Sequence, residues 1–516
     1  MSEKIPSRGA PVARRRLPGL SIEHLWPLAV LAGVFVLVST NPIRPHDFWW
    51  HLEAGQEIVA SGRIPSVDAF SSTMAGTPYN NYASFWLMEV AYHFLYAAGG
   101  PALVLFFHSL LVTAAYALLL RLCWRASRSW RIAAASTLFA AALGFDNWNV
   151  RPQALAFTAG VVLLSAIYGY RARPRRWLLA IPPVALLIWA NGHGSFVIGL
   201  LMLGVWLVDE MLAVVQKRFV QQGGWHLTRV WPPALTLLAS AVACLVNPRG
   251  LDTLSYVTNL SGNPVIRGLV PEWAPPSFAE RSGALFLVTL LLCAVVLAIS
   301  PRRPSRFQLL TYVAFGALAL STSRGVIWFG IVMAPVLAEH LEALFSRRAS
   351  TRPGRPNSRV RQAQNTLLIA VLLGGVVLAL PWFKHLLPLP ARKAGLISRE
   401  TPIAATQVLL REHPPGSIFN ELSFGSYLIW AAQPDYPVFV DTRLELYPLA
   451  VWRDYLEISA GGEGWEAKLD RYGVKTLMLS PTAQPGLLAA VRDSPGWHLL
   501  YEDAAAALFV RRDAQE

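Results

Sequence analysis

Long apolar stretches separated by short polar segments occupy most of the chain up to residue 383. A helix needs about 20 predominantly apolar residues to cross a bilayer, and these stretches approach that length. The pattern therefore predicts a mainly α protein, a polytopic bundle of about eleven transmembrane helices. We expect the spans at Leu25–Thr40 and Pro101–Leu120, and near 131–145, 152–170, 177–190, 195–213, 231–246, 283–300, 308–321, 325–344 and 365–383.

One further apolar segment, "SFWLMEVAYHFLYAAGG" (84–100), is short and carries Glu89 and His93. Counting it as a span would place the basic segment 121–131 on the outer side of the membrane. These features favour an interfacial or re-entrant amphipathic helix over a full crossing.

From about residue 400 the pattern changes to short strands that alternate with helices. Such alternation predicts a small α/β domain with a mostly parallel sheet. We expect strands in "SIFNE", "PVFVDTR" and "TLMLS", helices in "IAATQVLLREH", "GSYLIWAA", "GWEAKLDRYG" and "PGLLAAVRD", and a terminal hairpin in "WHLLYED" and "AALFVRR".

Composition supports a membrane protein, because 54% of the residues are hydrophobic and only 15% are charged, whereas globular proteins carry about 25%. The net charge of +14 is not gathered on one soluble face: 25 of the 45 Lys and Arg fall in alternate short segments. The positive-inside rule explains this distribution as membrane topology and orients the chain. We therefore expect no nucleic-acid partner. We expect an integral, multi-pass inner-membrane protein in three parts: a cytoplasmic N-terminus (1–24), a transmembrane domain (25–383) with an outer loop (41–100), and an extracytoplasmic α/β domain (384–516).

Polar side chains collect at the predicted outer ends of the spans. Ionisable groups at membrane depth are costly and tend to mark substrate paths, and at the membrane boundary, where these residues are predicted, the cost is lower. Because separate turns bring acids, bases and amides to one surface, we expect a shared cavity there. The candidate site residues are Asp47, His51, Arg151, His193, Arg249, Glu272 and Arg324.

Asp47 follows the first span and precedes the predicted helix "FWWHLEAGQEIVASG". Its carboxylate could act as a general base or bind a cation, and His51, four residues on, would share its helix face. Trp49 and Trp50 are typical of interfacial anchors. The alternative is that Asp47 only caps the helix.

Arg151 and Arg324 each stand in an outer turn just before a returning span. A helix N-terminus and a planar guanidinium together favour binding of a lipid phosphate. The alternative is that each arginine reaches lipid headgroups or pairs with an acid.

The other candidates have structural alternatives too. His193, between two glycines, is a ligand contact or a turn residue, and Glu272 beside Trp273 binds sugar hydroxyls or belongs to a loop over the site. Asp68 is either a second acid of the candidate site, in addition to Asp47, or a turn residue. Asp441 and Arg443 are expected to form an internal salt bridge with each other.

Several strings resemble the GT-C superfamily of membrane glycosyltransferases, which includes protein O-mannosyltransferases, aminoarabinose transferases of lipid A and oligosaccharyltransferases. The layout of one span, a long outer loop with an early acid, many spans and an outer C-terminal domain is similar as well. The strings are "DFWWHLEAGQEIVASGRIPSVDAFS", "RPQALAF", "WANGHGSF", "NPRG…PEW", "SRGVIWF" and "FVDTRLELY".

The resemblance implies sugar transfer from a polyprenyl-phosphate donor to a lipid, glycan or protein acceptor on the extracytoplasmic face. It implies that Asp47 is the catalytic base or a metal ligand. Many relatives carry two adjacent acids where Asp47 stands between His46 and Phe48, so His51 or another acid would complete the site. No cofactor is certain, and a divalent cation is left open. The alternative function is a non-catalytic scaffold, or a transporter of lipid-linked sugars, in envelope polysaccharide assembly.

Overall fold

The computed structural model describes residues 22–219, 227–253, 271–349 and 359–512, and its larger part is a bundle of α-helices. The helices of this part are α1 Ile22–Ser39, α2 Phe48–Ser61, α3 Trp86–Ser127, α4 Trp130–Gly144, α5 Gln153–Ala172, α6 Ile181–Gly192, α7 Val197–Phe219, α8 Trp231–Leu245, α9 Arg281–Ile299, α10 Arg306–Ser321, α11 Val326–Ala349 and α12 Arg359–Leu378.

Each predicted span overlaps one of these helices, and the span predicted at Pro101–Leu120 lies within the longer helix α3. Among the residues that the structure describes, five helical segments are long and apolar enough to cross a membrane by length and composition. The count of eleven crossings therefore stays a prediction. The five are Trp86–Ser127, Gln153–Ala172, Gly194–Phe219, Arg281–Ile299 and Ser323–Ser346.

Helix α3 is broken within its length. Gly99 and Gly100 have non-helical backbone angles, and Gly100 has a φ of 58°, a conformation that glycine adopts without steric cost. Pro101 then starts the second half, as the sequence predicts for the boundary between the segment 84–100 and the span beginning at Pro101.

The bundle is apolar both inside and outside. Trp189, Phe157 and Phe329 are buried in its core, whereas Leu291 and Leu367 are 64% and 65% exposed. Exposed apolar side chains along helices are the pattern expected for contact with lipid.

The C-terminal part contains a four-stranded sheet of order β1-β2-β4-β3. Only β1 and β2 are parallel, because the terminal hairpin adds β4 antiparallel to β2. The prediction of a mostly parallel sheet was wrong for this reason. The elements are α13 Ala391–Ala394, α14 Ile403–Glu412, β1 Ser417–Asn420, α15 Leu422–Ala432, α16 Leu449–Ser459, α17 Trp465–Arg471, β2 Val474–Leu479, α18 Pro485–Asp493, β3 Trp497–Glu502 and β4 Ala507–Arg511.

The segment "PVFVDTR" is not a strand of this sheet, contrary to the prediction. Val438 instead forms an isolated bridge with Ser71 of the outer loop, and its N–H donates to Phe70 at 3.0 Å. The side chain of Asn420 contacts the neighbouring backbone, accepting from Phe439 N–H and donating to Val440 O at 2.8 Å. The segment therefore bonds to the outer loop on one side and to a side chain on the other.

The outer loop forms part of the hydrophobic core of the C-terminal region. Trp50, Phe70 and Tyr82 belong to the same buried cluster as the strands β1, β2 and β4. Trp49 and Trp50 are 0% and 4% exposed, so the prediction that they anchor at the membrane interface was wrong. The C-terminal region is thereby held directly over the start of α2.

Candidate active site

Asp47 stands immediately before α2 but does not cap it. Its backbone is helical, with a φ of −46° and a ψ of −33°, and its side chain makes no capping hydrogen bond. The carboxylate instead forms an ion pair with Arg151, at 2.9 Å between Oδ2 and Nε. The capping alternative is therefore not what the structure shows.

Arg151 and Arg324 share one acid, Glu272. Nη1 of Arg151 lies 3.1 Å from both carboxylate oxygens of Glu272. Arg324 donates to Oε2 from Nε at 3.2 Å and from Nη2 at 3.1 Å. Its guanidinium carbon is also 4.6 Å from the ring centroid of Trp273. The result is a continuous charge chain, Asp47–Arg151–Glu272–Arg324, in which the predicted alternative of pairing with an acid is observed for both arginines.

The two acids of the charge chain are held in their ionised form. Burial by itself would raise the pKa of Asp47, but Arg151, His51 and a hydrogen bond from Thr442 outweigh it and lower the pKa to about 2. Burial opposes ionisation of Glu272 as well, and Arg151 and Arg324 bring its pKa below the ordinary value. While Arg151 contacts Asp47, this carboxylate is consequently a weak base.

A cavity of about 340 Å³ lies beside the charge chain, and we call it the first cavity. Its walls come from the outer loop, from the turns before α5, α7 and α11, and from the C-terminal segment that follows the bridge at Val438. The residues that line it include Asp47, His51, Arg151, His193, Trp273, Arg324, Thr442, Arg443 and Glu445.

His51 lines the first cavity with one side and contacts Glu89 with the other. Its Nδ1 is 2.9 Å from Oε1 of Glu89, and both side chains are buried. Burial lowers the pKa of His51 to about 3 although Asp47 opposes this, so the imidazole is neutral at pH 7. Glu89 was missed as a partner, although a carboxylate in an apolar helix is a signal of a functional or buried contact.

His193 is a wall of the first cavity as well as a turn residue. Its Nδ1 accepts from the backbone N–H of Ser195 at 3.1 Å and lies 2.8 Å from the Ser195 hydroxyl. Trp189 donates to that hydroxyl at 3.1 Å. Because Nδ1 accepts, the ring proton of the neutral imidazole is on Nε2, which can donate to a bound molecule.

Arg249 lies apart from the charge chain and is not among the residues that line the first cavity. It donates to Asn81 at 2.8 Å, and Asn81 donates to Glu445 at 2.8 Å. Through Asn81, Arg249 is thus linked to the wall residue Glu445. The segment Thr442–Glu445 was not predicted as part of the site, because it is distant in sequence from the outer loop.

The residues around Asp47 do not fit a divalent cation. The permanently charged guanidinium of Arg151 lies 2.9 Å from the carboxylate of Asp47. Nδ1 of His51 already contacts Glu89. Within residues 22–219, 227–253, 271–349 and 359–512, no group of three His, Cys, Asp or Glu side chains is placed to hold a metal. Hard cations need several oxygen ligands, and the carboxylate of Asp47 is already paired with Arg151.

The solved structures to which this chain is similar are glycosyltransferases of the GT-C fold, which confirms at the level of the fold the resemblance predicted from the sequence. No family model and no curated protein matches the sequence. Similar solved structures include the archaeal oligosaccharyltransferase AglB from Archaeoglobus fulgidus, in complex with an inhibitory peptide and a dolichol-phosphate. The match has a TM-score of 0.56 at 11% identity and covers 95% of this chain and 74% of that one.

Two further solved structures share the fold. Arabinofuranosyltransferase AftD from Mycobacteria matches with a TM-score of 0.55 at 14% identity, over 96% of this chain and 42% of that one. ArnT from Cupriavidus metallidurans, in the apo state, matches with a TM-score of 0.50 at 14% identity, over 94% and 97%. Another structure of the Archaeoglobus fulgidus oligosaccharyltransferase is a complex with Zn and sulfate. At these identities the likeness establishes the fold.

Proposed function

We propose that this protein transfers a sugar from a polyprenyl-phosphate donor to an acceptor on the extracytoplasmic face of an inner membrane. The observation that carries the proposal is the charge chain Asp47–Arg151–Glu272–Arg324 at the first cavity, within a GT-C fold. The complex of AglB with a dolichol-phosphate supports a lipid-linked donor. The positive-inside pattern supports the orientation.

Arg324 and Arg151 are proposed to bind the donor phosphate. Both are fixed at the turns before returning helices and both already hold one anionic group, the carboxylate of Glu272. Arginine binds phosphate through two parallel N–H donors. A phosphate would therefore compete with Glu272 for the same guanidinium groups and carry the sugar to the side of Asp47.

Asp47 is proposed to accept the proton of the acceptor hydroxyl. In this step the acceptor oxygen bonds to the anomeric carbon of the sugar, the bond from that carbon to the phosphate oxygen breaks, and the phosphate leaves with the electron pair. With a pKa of about 2, Asp47 is a poor base while Arg151 contacts it. Arg151 moving to the phosphate would raise that pKa and stabilise the leaving group at the same time.

The test is Asp47→Asn in the full chain, reconstituted in liposomes with a panel of polyprenyl-phosphate hexoses and pentoses. We expect transfer to fall at least about a hundredfold, as for loss of a general base, in a protein that thermal melting shows to be folded. The matched control is Glu57→Gln, a carboxylate of the same helix outside the first cavity. Unchanged transfer by Asp47→Asn would remove this mechanism. A wild-type protein that releases no polyprenyl phosphate from any donor favours the scaffold alternative.

A further inference from the structure

A second cavity, of about 620 Å³, opens on the other side of Glu272. The proposed transfer step makes no use of it apart from this carboxylate. Besides Leu37 of α1 and Glu272, three segments form its walls: the start of the outer loop, the turn between α4 and α5, and the stretch that leads into the C-terminal region. The lining residues are Leu37, Asn41, Pro42, Arg44, Phe145, Asp146, Trp148, Asn149, Glu272, Arg392, Lys393, Ser398, Arg399 and Glu400.

The backbone fixes these walls against each other. Ile43 N–H donates to Leu396 O at 2.9 Å, and Ser398 N–H donates to Ile43 O at 2.8 Å. Asn41 donates to the side chain of Asn149 at 3.3 Å. The second cavity is therefore held in place by long-range hydrogen bonds from all three segments.

The second cavity is rich in unpaired positive charge. Four cations line it, and within the part of the chain that the structure describes none of them forms an ion pair with a carboxylate. Of the three acids in its wall, Glu272 is already held by Arg151 and Arg324, which leaves Asp146 and Glu400. The four cations are Arg44, Arg392, Lys393 and Arg399.

A fifth cation, Lys384, adds to this positive field. Its side chain is 1% exposed, and among the described residues its amino group has no hydrogen-bond partner. Burial, and then the charge of Lys393, lowers the pKa of Lys384 to about 8. Like charges gathered in one place repel each other, and an anion between them removes that cost.

We propose that the second cavity binds a phosphate or carboxylate group of the acceptor, so that the acceptor of this transferase is an anionic molecule. This inference rests on the proposed function. Arginine forks select planar or tetrahedral oxyanions, and three arginines line the second cavity. Glu272 lies in its wall and bonds to Arg151, which contacts Asp47 at 2.9 Å. An acceptor anchored there would have its hydroxyl close to the proposed base.

Binding of two anionic probes to the full-length protein in detergent tests the inference, with native mass spectrometry as the readout. Dioctanoyl phosphatidic acid represents a lipid-borne phosphate and glucose 1-phosphate a soluble one. Dioctanoylglycerol and glucose are their neutral partners. We expect at least one anionic probe to bind about tenfold more tightly than its neutral partner, because charged hydrogen bonds dominate its affinity. The probe that binds identifies whether the acceptor is membrane-borne or soluble.

Variants locate the bound probe. Arg392→Gln with Arg399→Gln should weaken binding about tenfold, whereas the matched pair Arg411→Gln with Arg453→Gln, exposed cations elsewhere in the C-terminal region, should not. Equal binding of the anionic and neutral probes, or equal effects of the two pairs, would overturn the inference.

A variant of the first cavity separates this inference from the proposed function. If Arg324→Gln weakens binding of the anionic probe and the pair Arg392→Gln with Arg399→Gln does not, the probe binds in the first cavity. In that case the inference fails while the proposed donor site gains support. If Asp47→Asn leaves transfer unchanged but binding of the probe still depends on Arg392 and Arg399, the proposed mechanism fails. The anion site in the second cavity is then still supported.

Discussion

At the scale of single residues, the charge of the site depends on Glu272, whose carboxylate lies between Arg151 and Arg324. Two guanidinium groups that approach each other without an acid repel. Glu272 accepts from both, at 3.1 Å from Arg151 and 3.1 Å from Arg324. With Asp47 the charge chain holds two positive and two negative groups. A phosphate that binds there would exchange with the Glu272 carboxylate.

The planar shape of Arg324 leads to a prediction. Arg324→Lys keeps the charge but loses the pair of donors, Nε and Nη2, that contact Glu272. We expect binding of undecaprenyl phosphate to weaken about tenfold, because a lysine meets an oxyanion as a point charge. Titration in nanodiscs measures the affinity, and Arg411→Lys is the control. An unchanged affinity would place the phosphate elsewhere.

The neutral state of His51 predicts a pH dependence of stability. Its pKa in the folded protein is lowered to about 3 by burial, whereas an unfolded histidine has a pKa of about 6.5. The stability that depends on a neutral imidazole is present above pH 6.5 and is lost as the pH falls towards 3.

We therefore expect the free energy of unfolding of the wild-type protein to fall by about 2 kcal/mol between pH 6.5 and 5 because His51 becomes protonated on unfolding. One pKa unit corresponds to about 1.4 kcal/mol. His51→Gln should flatten the curve of melting temperature against pH in this window. His498→Gln, on strand β3, is the control. If both variants follow the wild-type curve, His51 is not the titrating group.

At the scale of elements, the approach of α2 to α3 is what brings His51 to Glu89. A Cβ at Gly55 would lie 2.1 Å from the backbone oxygen of Glu89. The helices touch at this glycine, one turn beyond His51. The close approach is thus a condition for the geometry of the cavity wall.

Gly55→Ala should separate the two helices. We expect a loss of about 1–3 kcal/mol in the free energy of unfolding, as for overpacked interiors, together with reduced sugar transfer. Gly33→Ala in α1 is the control, because a Cβ there meets nothing within 4 Å. Thermal melting in detergent gives the comparison. Equal melting temperatures for both variants would contradict the packing argument.

At the scale of the whole molecule, Arg443 joins the outer loop to the C-terminal region. It is buried and contacts Asp68 at 2.7 Å, Asp441 at 2.6 Å and the hydroxyl of Tyr82 at 2.7 Å. The predicted salt bridge between Asp441 and Arg443 is confirmed, and Arg443 forms another ion pair with Asp68. This buried cluster holds the lining segment Thr442–Glu445 over the first cavity.

Asp68→Asn should loosen this contact. Removing one partner of a buried ion pair costs about 3–5 kcal/mol, and we expect faster proteolysis of the C-terminal region as well as lost transfer. Asp454→Asn removes an acid from the partly exposed pair with Lys468 and should cost at most about 1 kcal/mol. If the two variants are cut at the same rate, the cluster does not hold the regions together.

Much of this fold could be read from the sequence, because hydropathy and charge act locally along the chain. The apolar runs coincide with helices, the segment boundary predicted before Pro101 falls beside the break at Gly99 and Gly100, and the residues of the outer turns were chosen by their charge. The strands β1 and β2 were also located. The pairing of the strands was misjudged, since β4 of the terminal hairpin pairs antiparallel with β2, and "PVFVDTR" was wrongly expected to be a strand of this sheet.

The contacts between distant residues were decided by the tertiary structure alone. Local pattern placed Asp47, Arg151 and Arg324 on one face, but it could not tell that Glu272 would join the arginines or that Glu89 would meet His51. Nor could it show that Trp49 and Trp50 are buried against the C-terminal region. The physical reason is that such contacts depend on how helices pack, and packing is a property of surfaces that the chain brings together only when it folds.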